Sequence, residues 1–135
     1  MKILFVVNEL DFFLRAHINL ASNINQTHKI EVIADTSKSS TKDLDLVEKM
    51  GIKLHVFNRK KNTNNLFSYL SFVFSLLLLL RNIKPDYVFY ITLEMSFFGS
   101  LISYFIKIKK SIFVITGLGP FFFKKEFKYR FFNML

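Results

Sequence analysis

Two rhythms of apolar residues alternate along the first 116 positions, one suited to strands and one to helices. Residues 2–7 (KILFVV) form an unbroken, β-branched-rich run that ends at the polar Asn8, the pattern of a strand buried on both faces. Between residues 12 and 25, Phe13, Leu14, His17, Ile18, Leu20, Ala21 and Ile24 fall at helical spacing. Residues 29–34 (KIEVIA) predict a second strand, 35–41 a polar loop, and 43–50 a short helix stopped by Gly51. Residues 52–57 (IKLHVF) alternate as a third strand. A long helix over 65–82 ends before Lys84-Pro85, where proline forbids its continuation. A fourth strand (86–91, DYVFYI), a helix (96–108) and a fifth strand (111–116, SIFVIT) follow. Residues 117–120 then predict a turn, and the pattern is helical from 124 onward.

Strand and helix in strict alternation, with short connections, require right-handed crossovers and a mostly parallel sheet covered on both faces. The predicted fold is therefore α/β, a doubly wound Rossmann-like parallel sheet of five strands in the order 3-2-1-4-5. In such sheets ligands bind beyond the carboxyl ends of the strands, near the point where strand order reverses. That rule selects residues 8–13, 92–99 and 116–120 as the candidate site.

Composition narrows the chemistry. The 135 residues contain no Cys, which removes disulfides, thiolate zinc sites and thiol nucleophiles. The net charge of +9 is unevenly placed: residues 1–58 hold seven basic and seven acidic groups, and residues 59–135 hold twelve basic against Asp86, Glu94 and Glu126. Such asymmetry calls for an acidic partner, whether a phosphorylated ligand, an anionic membrane or nucleic acid. Lys outnumbers Arg fifteen to four, a bias of AT-rich coding, so the placement of charge says more than its amount. No secretory signal is predicted, because the apolar run 3–7 is short and acids follow it at once. The uncharged stretch 66–80 (LFSYLSFVFSLLLLL) would rise only about 22 Å as a helix, short of the roughly 30 Å hydrocarbon core, and reads as a buried helix before a span.

Individual motifs carry less. No glycine precedes Gly51, so the phosphate-cradling loop of a dinucleotide enzyme is missing after strand one, and no cofactor is expected. Gly117-Leu118-Gly119 could offer backbone N–H groups to an anion, although spacing alone favours a plain turn. His17, His28 and His55 match no metal-binding spacing. Asp11 and Glu94 both follow strand ends and could meet above the sheet as acid and base, or stand as two solvated carboxylates. In residues 121–132 (FFFKKEFKYRFF) rings interleave with cations. Such a segment suits a membrane interface or a core helix better than stacked single-stranded nucleic acid, and no nucleic-acid partner is expected.

Several of these pieces together resemble a known family. The apolar first strand ending in Asn8, then Phe12-Phe13-Leu14 and a helix with His17 and Leu20-Ala21, resembles the opening of GT-B glycosyltransferases of the family-4 type. Lys84-Pro85-Asp86-Tyr87-Val88 is similar to that family's K-P-D-I/V-V lead into strand four. Phe98-Gly99-Ser100-Leu101 is similar to its Y-G-S/T-L/A helix, and Thr116-Gly117-Leu118-Gly119 to its T-G-L-G turn. The nearest subgroup extends bacterial surface polysaccharides from lipid-linked sugars. The chain departs from it at Glu94-Met95, where a Lys-Pro pair is common, and at Arg15-Ala16-His17, where Ser-His-Arg is common.

The resemblance implies that residues 1–135 are the acceptor-side, N-terminal half of a GT-B fold, incomplete, with the donor-binding C-terminal domain absent or separately encoded. It implies transfer of a sugar from a nucleotide diphosphate sugar to a lipid-linked glycan, on the cytoplasmic face of an anionic membrane, and inactivity of this chain alone. Asp11 or Glu94 would be the base, with Asn8, Phe12, His17, Thr92, Gly99, Thr116, Gly117, Leu118 and Gly119 lining the acceptor cleft. Two other readings remain open at this point: a small membrane protein with spans near 62–80 and 97–115, and a free-standing Rossmann-like binding module.

Overall fold

The strand β1 (Lys2–Glu9) takes the middle of the sheet because its side chains are apolar on both faces. Ile3, Phe5 and Val7 point to one side and Leu4 and Val6 to the other, and all five are buried. It pairs in parallel with β2 (Lys29–Asp35) along one edge, Ile3 opposite Ile30. Along the other it pairs with β4 (Tyr87–Ile91), Ile3 opposite Tyr87. Outside these lie β3 (Lys53–Val56), on β2, and β5 (Ser111–Val114), on β4. The resulting order, 3-2-1-4-5, is the doubly wound one expected. These statements come from a computed structural model, which describes residues 1–57, 66–108 and 110–116.

Helices cover both faces. On the first, α1 (Leu10–Ala16), α2 (Ile18–Asn25) and α3 (Thr41–Lys49) bury Leu10, Phe13, Ala21 and Val47 against Phe5, Val32 and Ala34. On the second, α4 (Leu66–Ile83) and α5 (Leu93–Ile106) bury Phe72, Leu76, Leu80, Met95 and Ile102 against Leu4, Val6, Ile33 and Val88. The start of α3 is fixed by a reciprocal cap: Ser40 Oγ accepts the Asp43 N–H at 3.3 Å, and the Asp43 carboxylate accepts the Ser40 N–H at 2.7 Å. Its end is Gly51, whose φ of +66° is cheap only for glycine.

Three predicted elements differ. The single helix over 12–25 is two, because the backbone bends at His17 (φ −127°, ψ −4°). The His17 N–H closes α1 on the Phe13 carbonyl at 2.8 Å, and the His17 carbonyl opens α2 by accepting the Ala21 N–H at 2.9 Å. The helix expected to begin at 96 begins at Leu93, because Thr92 caps it. The span considered near 97–115 is part helix and part strand, and among the described residues no helix is long and apolar enough to cross a membrane. The helical pattern from 124 onward lies outside the described residues.

A polar core at Tyr90 holds α5 to the sheet. The Tyr90 hydroxyl lies 2.8 Å from Ser103 Oγ, Ser111 Oγ lies 3.1 Å from the same atom, and Ser96 Oγ donates to the Tyr90 carbonyl at 3.2 Å. Burial pushes the Tyr90 phenol up to about 12, against a smaller opposing effect of Ser103, so the ring stays neutral and hydrogen-bonded. The face of this ring lies on Gly99: a Cβ there would meet three ring carbons at 2.3–2.6 Å. On the other side of β1, the buried Glu31 takes His55 Nε2 at 2.7 Å, Lys29 Nζ at 3.5 Å and Lys2 Nζ at 4.0 Å. Burial raises the Glu31 carboxyl, but the hydrogen bond from His55 and the charges of Lys2, His55 and Lys29 outweigh it and leave it below its ordinary value of 4.5.

Two outcomes follow from this packing. Gly99→Ala should destabilise the fold by about 1–3 kcal/mol in urea denaturation, despite alanine's better helix propensity, and Tyr90→Leu in the same chain should recover part of that loss. The stabilising contribution of Glu31 is complete above pH 4.5 and disappears as pH falls through its lowered folded value. Acid unfolding curves of Glu31→Gln should therefore start from a lower plateau and be flatter below that pH than those of the parent chain.

Candidate functional site

Strand order reverses between β1 and β4, where the chain leaves β1 toward α1 on one face and leaves β4 toward α5 on the other. The divergence opens a crevice at the carboxyl edge of the sheet. Asn8 reaches it from β1 and Glu94 from the first turn of α5, and Asn8 Nδ2 donates to Glu94 Oε2 at 3.3 Å. The other amide atom, Asn8 Oδ1, is buried without a hydrogen-bond partner. The amide is thus held by its nitrogen on a carboxylate and keeps one acceptor unspent.

Thr92 sets the position of Glu94. Its φ of 93° and ψ of 154° lie in a region that side chains rarely adopt, at a cost of about 1–3 kcal/mol. The conformation is held from both sides. The Thr92 N–H donates to the Val114 carbonyl at 3.0 Å, its carbonyl accepts the Ser96 N–H at 3.0 Å, and Oγ1 faces the Met95 N–H at 3.5 Å. The strand thus turns into the helix with no loop between them, which brings Glu94 over the end of β1.

The other acid is differently placed. Asp11 forms an i,i+4 ion pair with Arg15 at 2.7 Å, on a partly exposed side of α1. Phe12 packs against the core of the α1–α3 face, and the His17 ring meets it edge-on at 5.7 Å. Desolvation lowers the His17 pKa, so the imidazole is neutral at pH 7, and its Nε2 is buried without a partner. Gly99 is a packing position under Tyr90, on the sheet-facing side of α5. Thr116 is exposed just beyond β5, while Gly117, Leu118 and Gly119 lie outside the described residues.

Asp35 was not among the predicted site residues. It ends β2 beside Glu9 and is only 2% exposed. Its Oδ1 accepts the Ser37 N–H at 2.8 Å, its Oδ2 has no partner, and the neighbouring Glu9 carboxylate takes Lys38 Nζ at 2.9 Å. Its position after the second strand, at the end of an apolar run, was the available signal. Among the described residues no three His, Asp or Glu side chains gather as a metal site.

The comparisons with known proteins fit this geometry. A family model described as glycosyl transferase 4-like matches residues 2–135. Among solved structures, MurG from Acinetobacter baumannii superimposes with a TM-score of 0.61 at 14% identity, over 82% of this chain and 34% of that one. A Listeria monocytogenes protein titled a UDP-N-acetylglucosamine 2-epimerase gives 0.57 at 13% identity, over 81% and 30%. The chain therefore spans about a third of the length of either. No curated protein matches it. Its five parallel strands and their helices have the arrangement of a GT-B N-terminal domain, and with a family match over nearly every residue the chain belongs to the glycosyl transferase 4-like family.

Proposed function

We propose that this chain is the acceptor-side domain of a glycosyltransferase that moves a sugar from a nucleotide diphosphate sugar to a lipid-linked glycan during surface polysaccharide synthesis, at the cytoplasmic face of the membrane. The family match over residues 2–135 carries the transferase reading. The Asn8–Glu94 pair at the point of strand reversal supplies the chemistry. Glu94 is the base of this proposal: it takes the proton of the acceptor hydroxyl as that oxygen bonds to the anomeric carbon. The bond from that carbon to the diphosphate breaks, and the nucleotide diphosphate leaves with the electron pair. Asn8 orients the carboxylate through Nδ2. Asp11 is the poorer candidate, since its carboxylate is already engaged by Arg15 at 2.7 Å.

The donor and its leaving diphosphate fall to a second domain across the crevice, contiguous or separately encoded. Thr116 and residues 117–119 are proposed to line the cleft that faces it. Residues 1–135 alone are accordingly expected to show no sugar transfer, and turnover by the purified chain without a donor-binding partner would overturn the assignment. In the assembled enzyme Glu94→Gln should lower kcat by about 10²–10⁴-fold with little change in KM, and Asp11→Asn should leave both nearly unchanged. The opposite ranking would move the base to Asp11. Two unaffected variants would overturn both assignments.

A further inference from the structure

We infer that the carboxyl end of β2, where Asp35 stands beside Glu9, is a second subsite that holds the hydroxyls of a neighbouring sugar in the acceptor glycan. The argument for it starts from polar groups that the fold leaves unmet. Asp35 is only 2% exposed, yet half of its carboxylate is unused: Oδ1 accepts the Ser37 N–H at 2.8 Å, and Oδ2 is buried without a partner. In the same loop Ser39 Oγ is also buried without a partner, while the Ser39 backbone N–H is spent on the Thr36 carbonyl at 2.9 Å. Burying such atoms unmet costs stability, and a carboxylate costs more than a neutral group. The strand does not need the acid for its own placement. Ile30, Val32 and Ala34 already anchor β2 in one core and Ile33 in the other. Two unspent oxygens in one loop, at the edge of the sheet where ligands bind, call for a partner from outside the chain.

The surroundings choose its chemistry. Glu9 is the register partner of Asp35, so two carboxylates stand at the ends of β1 and β2. Lys38 Nζ bonds one of them, Glu9 Oε1, at 2.9 Å. Carboxylates seek donors and repel anions, which sets aside the diphosphate of the nucleotide sugar. Hydroxyls of an uncharged ring fit the set, since they can donate to Asp35 Oδ2 and to Ser39 Oγ. Entry requires the loop over Asp35 to lift. On its outer side the loop is tied down by the Lys38–Glu9 pair, whose side chains are 61% and 32% exposed, and an exposed pair of this kind adds little to stability. The position suits a glycan as well. Glu9 follows Asn8 directly, and β2 lies one strand spacing, about 4.8 Å, from β1. An acceptor with its reacting hydroxyl at Glu94 therefore has its next ring at Asp35. This assignment rests on the acceptor-side reading for its ligand, but binding is tested without sugar transfer.

The Ser37 amide is a built-in reporter, because its proton lies on the Asp35 carboxylate. The isotope-labelled chain is titrated in turn with glucose, galactose, mannose and N-acetylglucosamine at millimolar concentration, and its amide NMR signals are followed. At least one sugar should move the Ser37 and Ser39 signals, and Asp35→Asn should abolish the movement. Inorganic phosphate and calcium chloride should leave both signals in place. In the assembled enzyme Asp35→Asn and Ser39→Ala should raise the acceptor KM by roughly tenfold with kcat nearly unchanged. The urea midpoint of each variant should stay level or rise, since an unmet oxygen is gone. No movement with any of these sugars would leave an internal water as the partner and overturn the inference. Movement with phosphate or calcium would overturn it in favour of an ion site, and movement with uridine alone in favour of a nucleotide site. A lower urea midpoint with unchanged KM would make both residues structural, which also overturns it. Sugar-induced shifts in a chain whose assembled enzyme transfers nothing would strike the transferase reading and leave the subsite standing. Normal transfer with unchanged KM in Asp35→Asn would do the reverse.

Discussion

Everything else in the molecule depends on β1 having two partners and two buried faces. Its backbone is bonded to β2 on one edge and to β4 on the other, and its side chains supply the floor of both cores. A strand in this position cannot shift register by one residue without sending Leu4 and Val6 to the wrong face. Because β1 fixes β4 beside it, the divergence of α1 from β1 and of α5 from β4 is fixed as well, and with it the place where Asn8 and Glu94 meet. The crevice is thus a product of topology, and the loops only decorate it.

The second constraint is the contact between Tyr90 and Gly99. A tyrosine buried at the centre of β4 must satisfy its hydroxyl, and Ser103 does so from α5. To bring that helix close enough, its backbone must pass directly over the ring, which only glycine permits. The tight docking leaves no slack for a loop between β4 and α5, and Thr92 absorbs the difference in its backbone. Packing in the core and strain at the candidate site are therefore two ends of one arrangement. A glycine first read as a feature of the cleft acts on the cleft through the position of the helix.

The strands were legible because five short apolar runs, each closed by polar residues, fit a parallel sheet and little else. Helix boundaries were less so. Nothing at Arg15-Ala16-His17 breaks a helix by propensity, and the bend there comes from packing two short helices over one strand pair. Threonine is a common helix cap, but the φ of 93° at Thr92 belongs to glycine, so no local rule joins strand directly to helix there. At the site, residues that act where they stand in sequence, such as Asn8 and Glu94, could be found from strand ends. Their pairing, across 86 positions, could not, and neither could the burial of Asp35, which depends on neighbours brought in by the fold.

The position of β1 also bears on how the chain is made. Its partner on the second edge, β4, lies more than eighty residues later, as the hydrogen bond from the Lys2 backbone to Asp86 marks. During synthesis the first strand therefore emerges with one edge and one apolar face that nothing yet made can cover. Only β2, which follows within about twenty residues, can shield it early. Sheet closure must wait until β4 has left the ribosome, and loop-closure entropy makes that step slow. The same strand that organises the finished domain is, until β4 emerges, the part most in need of protection from aggregation.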